Sequence, residues 1–247
     1  MGTDFALLGD HKLWASEALS RIDRALRQEK RLQRAFARQQ KEGRRVFALH
    51  KSSAPILMPL SYSRLSVLYE DEVYFFVVAC RQALSAVKVM RTFDPGFPEI
   101  RQGAPITHWR DTEEHWDDPA ARGVEIRAAA KWQAVSRDSE PGLTTGARGN
   151  KLTHLSGVKV KRLRKDLKSA RAAAFAIEDR IFRQLHIAPA EAADILGIRV
   201  EEVAALPLHC FSEWDEYGGG RLYHRESVEH YLNTGSGHPP RWDQLLH

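Results

Sequence analysis

Apolar positions recur at helical spacing through residues 13–42. Trp14, Ala18, Ile22, Leu26 and Phe36 carry the pattern with no Pro or Gly between them, which predicts one long helix stopping at Gly43. Pro55 and Pro59 then make residues 44–63 a connector. Residues 64–92 predict a second helix. Its stripe of Leu65, Leu68, Tyr69, Val73, Phe76, Val77, Cys80, Leu84, Val87 and Met90 is so wide that the middle is apolar nearly all round, as expected of a central core helix. A third helix is predicted from Pro105 to Asp118, with Ile106, Trp109 and Trp116 facing inward. Lys131–Arg137 and Lys151–Leu155 read as two short strands around a turn holding Gly142, Gly146 and Gly149. Residues 159–186 predict a fourth long helix. The expected fold is mainly α: a four-helix bundle with a small β-hairpin insertion.

After His186 the elements shorten. Pro189–Leu196 is a short helix, Gly197 a turn and Val200–Leu206 a second short helix. Phe211–Tyr223 alternates around Gly218-Gly219-Gly220 as a hairpin, and Arg225–Leu232 closes the module. The expected division is a basic bundle at 1–186, a small module at 187–233 and a tail at 234–247.

Charge sharpens that division. The chain has 247 residues and a net charge of +5. Residues 1–186 hold 33 Lys and Arg against 22 Asp and Glu, a net of +11; residues 187–247 hold 4 against 10, a net of −6. Arg21–Arg45 carries ten basic and three acidic residues, and Lys159–Arg171 carries seven and one. Both stretches lie in predicted helices, so their cations form rows that suit phosphates. The candidate nucleic-acid contacts are Arg24, Arg31, Arg34, Arg38, Lys161, Arg164 and Lys168, with Arg199, Arg221 and Arg225 in the C-terminal module. The competing reading of each row is a solvated helix face.

The run Ala190-x-x-Ala193-x-x-Leu196-Gly197-Ile198, then a helix, a Gly-rich hairpin and Arg225-Glu226-x-Val228-x-x-Tyr231-Leu232, resembles the winged helix–turn–helix of excisionase- and MerR-type DNA-binding domains. The resemblance implies a second helix in the DNA major groove and a wing along the backbone. Yet Val200–Leu206 offers two carboxylates and no Lys, Arg, Asn or Gln to read a base edge. The alternative use of this acidic module is contact with a protein partner, for which Trp214 and Tyr217 are suited.

Arg110-Asp111-x3-His115 fits the R-x4-6-H pattern of HEPN domains, which it resembles over residues 60–186. The resemblance implies a helical bundle acting as a homodimeric, metal-independent ribonuclease. In it His115 transfers protons, Arg110 steadies the developing phosphate charge and Asp111 orients the pair. The same spacing also occurs at Arg45/His50 and Arg225/His230; only the middle pair sits on a polar helix inside the bundle. His108, Asp111, His115 and Asp118 share that helix's face, but no Glu-x-x-His on the other bundle helices completes a metal site. No metal or cofactor is expected.

Nothing points to the commoner enzyme classes. The phosphate-loop, nucleophile-elbow, zinc-protease and dinucleotide fingerprints are missing from the sequence. Two distant cysteines, Cys80 and Cys210, make neither a disulfide framework nor a thiolate zinc site. The longest strongly apolar run, Val73–Cys80, is eight residues, and Met1–Asp10 lacks the order of a signal peptide. These features lead to the expectation of a cytoplasmic, nucleic-acid-associated protein with RNA or DNA as partner and no membrane role. Its forms are a HEPN-type ribonuclease of toxin or defence type, a DNA-binding regulator with a dimerising bundle, or a protein-interaction scaffold.

Overall fold

Three long helices carry most of the described chain: α1 (Phe5–Leu49), α2 (Leu60–Phe93) and α3 (Val160–Leu185). The computed structural model describes residues 5–49, 60–107, 145–155, 157–211 and 221–237. The protein is mainly helical with a few small strands. It divides into two compact units, one of residues 16–174 and one of residues 1–15 with 175–247.

Each long helix buries residues at alternating steps of three and four. On α1 the series runs Ala18, Ile22, Ala25, Glu29, Leu32, Phe36. On α2 it is Tyr69, Val73, Phe76, Cys80, Ala83, Val87, Met90, and on α3 it is Val160, Leu163, Leu167, Ala170, Ala174. This spacing keeps one stripe of each helix turned inward. Rising numbers on α1 meet falling numbers on both neighbours. Gln28 donates to Glu72, Phe36 meets Tyr69 at a centroid distance of 5.7 Å, and Gln39 donates to Ser66 at 3.2 Å. Asp23 meets Arg171 and Glu29 meets Arg164. α1 therefore runs antiparallel to α2 and α3.

Several boundaries differ from the sequence reading. α1 does not stop at Gly43 but continues to Leu49. Gly43 is buried inside the helix, where a Cβ would lie 3.1 Å from the Tyr62 ring; close packing on α2, not a helix end, selects glycine there. α2 begins at Leu60, four residues before the predicted start. Residues 103–107 begin the third predicted helix; its remainder and the strand expected at Lys131–Arg137 lie outside the described residues. By length and composition α2 could cross a membrane, which the eight-residue run did not suggest; half of that apolar window is buried within the fold.

A three-stranded antiparallel sheet, β1 (Thr145–Arg148), β2 (Lys151–Leu155) and β3 (Val158–Lys159), lies between α2 and α3 in sequence. β2 is where the sequence placed it. Its partner β1 falls in the segment read as a turn, and the turn itself is two residues, Gly149-Asn150, with Gly149 at φ +64°. Two glutamines fasten this sheet. The Gln33 carboxamide donates to Leu152 O at 2.9 Å and accepts from Leu152 N at 3.1 Å; Gln102 does the same with Lys159 at 3.0 and 2.7 Å. Each amide acts as one residue of an absent strand, so buried backbone groups are satisfied.

The other unit holds the C-terminal elements: β4 (His186–Ile187), α4 (Pro189–Leu196), α5 (Val200–Val203), β5 (Cys210–Phe211), β6 (Leu222–His224) and α6 (Arg225–Thr234). The sheet order is β4-β6-β5, all antiparallel. The core is Ile187, Ala192, Ala193, Val203, Leu208, Tyr223 and Val228. Pro189 opens α4, and Gly197 closes it in the left-handed region at φ 67°, its N–H bonded to Ala193 O. Ile198, partly buried, packs against the core. α5 is one turn, ending at Val203 rather than Leu206. Residues 212–220, including Trp214 and Tyr217, lie outside the described residues.

Candidate nucleic-acid interface

The basic rows of α1 and α3 are brought together by the antiparallel packing of these two helices. Between them runs a groove of about 740 Å³ lined by Asp23, Leu26, Arg27, Glu29, Lys30, Gln33, Arg34, Arg164, Lys168, Arg171 and Ala172. Six cations face two carboxylates, a net of four positive charges.

Both carboxylates are already held. Glu29 is 3% exposed. The Arg164 guanidinium grips it with two bonds, Nε to Oε2 at 2.9 Å and Nη2 to Oε1. Asp23 accepts from Arg171 Nε at 2.6 Å and Nη2 at 3.5 Å. Such bidentate pairing supplies the compensation that a buried carboxylate requires. Arg27, Lys30, Arg34 and Lys168 remain, all exposed and with no ion-pair partner among the described residues. Arg27 and Arg34 stand seven residues apart, about 10.5 Å along the axis, close to the rise of three nucleotides on one strand of a duplex. Among the described lining residues there is no free carboxylate, imidazole or thiol. The surface can hold an extended anion.

Of the contacts expected from sequence, Arg34, Arg164 and Lys168 line the groove, with Arg164 committed to Glu29. Arg31, Arg38 and Lys161 are exposed on the same helices beyond its lining, and Arg24 donates to Gln82 Oε1 at 3.2 Å. In the C-terminal unit Arg199 pairs with Glu202 at 2.6 Å, and Glu202 reaches back to Arg199 N at 3.1 Å. Hydrogen bonds from the Arg199 side chain and backbone N–H hold the Glu202 carboxyl below its usual value. Arg225 pairs with Glu191 and donates to Gln184 O at 3.1 Å. Arg221 is exposed. Arg110, Asp111 and His115 lie outside the described residues, as do His108 and Asp118. No group of three or more His, Cys, Asp or Glu among the described residues is placed to hold a metal.

The contacts expected from sequence did not include Arg27, Lys30 or Arg171, nor the buried Glu29. The signal for Glu29 was present: it occupies a core position on the inward stripe of α1, where a carboxylate demands a cation on a facing helix. Cys80, placed by its spacing on the core stripe of α2, is 1% exposed, and burial with the nearby charge of Glu29 pushes its pKa up. No protein-family model matches the chain, and comparisons with curated proteins and with solved structures find no match.

Proposed function

We propose that the protein binds nucleic acid by its phosphate backbone, along the groove between α1 and α3. The observation that carries this reading is the set of four cations, Arg27, Lys30, Arg34 and Lys168, with no ion-pair partner among the described residues, around a floor neutralised by Arg164–Glu29 and Arg171–Asp23. Backbone contacts of this kind position a strand without reading its sequence. The C-terminal module, winged helix–turn–helix-like in its order of elements, is assigned to protein contact rather than base reading. Its second helix is a single turn bearing Glu201 and Glu202, and its Arg199 and Arg225 are engaged in ion pairs. The ribonuclease reading rests on the HEPN resemblance at Arg110, Asp111 and His115 and is a further step beyond binding.

Fluorescence anisotropy with a labelled single-stranded RNA and a labelled DNA duplex tests the assignment. Arg34→Ala/Lys168→Ala weakens binding by about tenfold or more, while Arg199→Ala/Arg225→Ala leaves it within about threefold. The reverse order would move the interface to the C-terminal module.

A further inference from the structure

α2 buries Tyr69, Val73, Phe76 and Cys80 on one side, and the first half of the helix carries another apolar stripe nearly opposite. Leu60 is 78% exposed, Val67 57%, Leu68 53% and Phe75 55%. At 3.6 residues per turn these four fall, with exposed Arg64 and Asp71, inside an arc of about 100°. A contiguous exposed apolar patch marks a contact surface.

The order of residues along this stripe identifies what covers it. Leu60, Arg64, Val67, Leu68, Asp71 and Phe75 are separated by four, three, one, three and four positions. The spacing reads the same from either end, and the two charges that exchange places are of opposite sign. A second α2 laid antiparallel about a two-fold axis between Val67 and Leu68 sets Leu60 against Phe75, Arg64 against Asp71 and Val67 against Leu68. Arg64 and Asp71 stand about 10.5 Å apart along one helix, too far to pair with each other. Neither has an ion-pair partner among the described residues.

We propose that this face of α2 seats a second copy of the chain in an isologous, antiparallel contact closed by two symmetry-related Arg64–Asp71 pairs. In such a contact the same patch serves both subunits, so self-complementarity is the requirement, and the stripe meets it. A lipid surface is the rival occupant, given the apolar length of α2. The hydrocarbon of a bilayer offers no partner to an arginine and an aspartate placed in the middle of the stripe; a two-fold mate offers both.

Sedimentation velocity of the full chain over a micromolar concentration series tests the proposal. The wild type is expected to dimerise. Arg64→Glu and Asp71→Arg each set like charges opposite one another and weaken the dimer by about tenfold or more. An equal mixture of the two variants regains the wild-type dissociation constant, because both contacts of the heterodimer are again of opposite sign. Both positions are exposed, so far-UV circular dichroism of each variant matches the wild type. A wild type that stays monomeric overturns the proposal, as does undiminished self-association of either variant. So does a mixture that fails to recover the dimer. A monomeric chain that partitions onto phosphatidylcholine vesicles would assign the face to lipid instead.

Discussion

Replacing Arg164 by Met tests whether the groove floor is built as an ion pair. Glu29 has a side chain only 4% exposed, while that of Arg164 is 42% exposed. Removing the guanidinium strands a carboxylate that water hardly reaches, and breaking such a buried pair costs about 3–5 kcal/mol. The half-open Arg164 side places this case at about 3 kcal/mol. For a domain of this size that corresponds to a fall in Tm of about 6–12 °C. Glu29→Leu/Arg164→Met removes both charges and fills the site with apolar side chains of similar volume. Its stability is expected within about 1 kcal/mol of wild type. Urea unfolding of the two variants gives both numbers, and the double-mutant comparison separates the coupling from the size of either side chain. The pair adds no net charge to the groove, so the double variant should also keep nucleic-acid affinity within about threefold. A cost below about 1 kcal/mol for Arg164→Met, or a double variant less stable than the single one, would refute the pairing argument.

Further consequences concern the supports of the groove. Burial raises the Asp166 carboxyl, but hydrogen bonds from the Arg101 guanidinium and backbone N–H, with the charges of Arg101 and Arg162, outweigh it and hold the pKa below its usual value. A carboxyl depressed in the folded state stabilises at pH above its unfolded value of about 3.9, and the gain is lost as pH falls through the folded value. Asp166→Asn should therefore flatten the acid limb of the stability curve below about pH 4, measured by denaturant titration. Gln33→Ala should cost about 2 kcal/mol, about 1 for each of its two hydrogen bonds, and abolish hydrogen-exchange protection at the Leu152 amide. Gln102→Ala should do the same at Lys159.

Much of the helical framework was legible because apolar spacing reports burial directly. The buried middle of α2, Cys80 included, was read from spacing alone. Gly43 misled because a helix-ending glycine and a glycine yielding to a neighbouring ring look identical in sequence; only Tyr62 on α2 distinguishes them. β3 and β4 are two residues each and exist because a partner strand is there, so no local pattern announces them. Gln33 and Gln102 were silent for a similar reason. An isolated glutamine carries no mark of the backbone 119 or 57 residues away that it completes. The basic rows were visible; which cations remain unpaired was not. That depends on Asp23 and Glu29 meeting Arg171 and Arg164 across the antiparallel register.

The salt dependence of nucleic-acid binding bears most directly on the groove. Each phosphate neutralised contributes about −0.9 to the slope of log K against log salt on a duplex and about −0.7 on a single strand. Four unpaired cations thus give a slope of about −3.6 or −2.8. Between 50 and 200 mM salt affinity should fall about 150-fold for duplex or about 50-fold for single strand. Arg34→Ala and Lys168→Ala should each reduce the slope by about one. Phosphate binding in the groove requires both results. A slope between zero and about −1, or one that neither substitution changes, would contradict it.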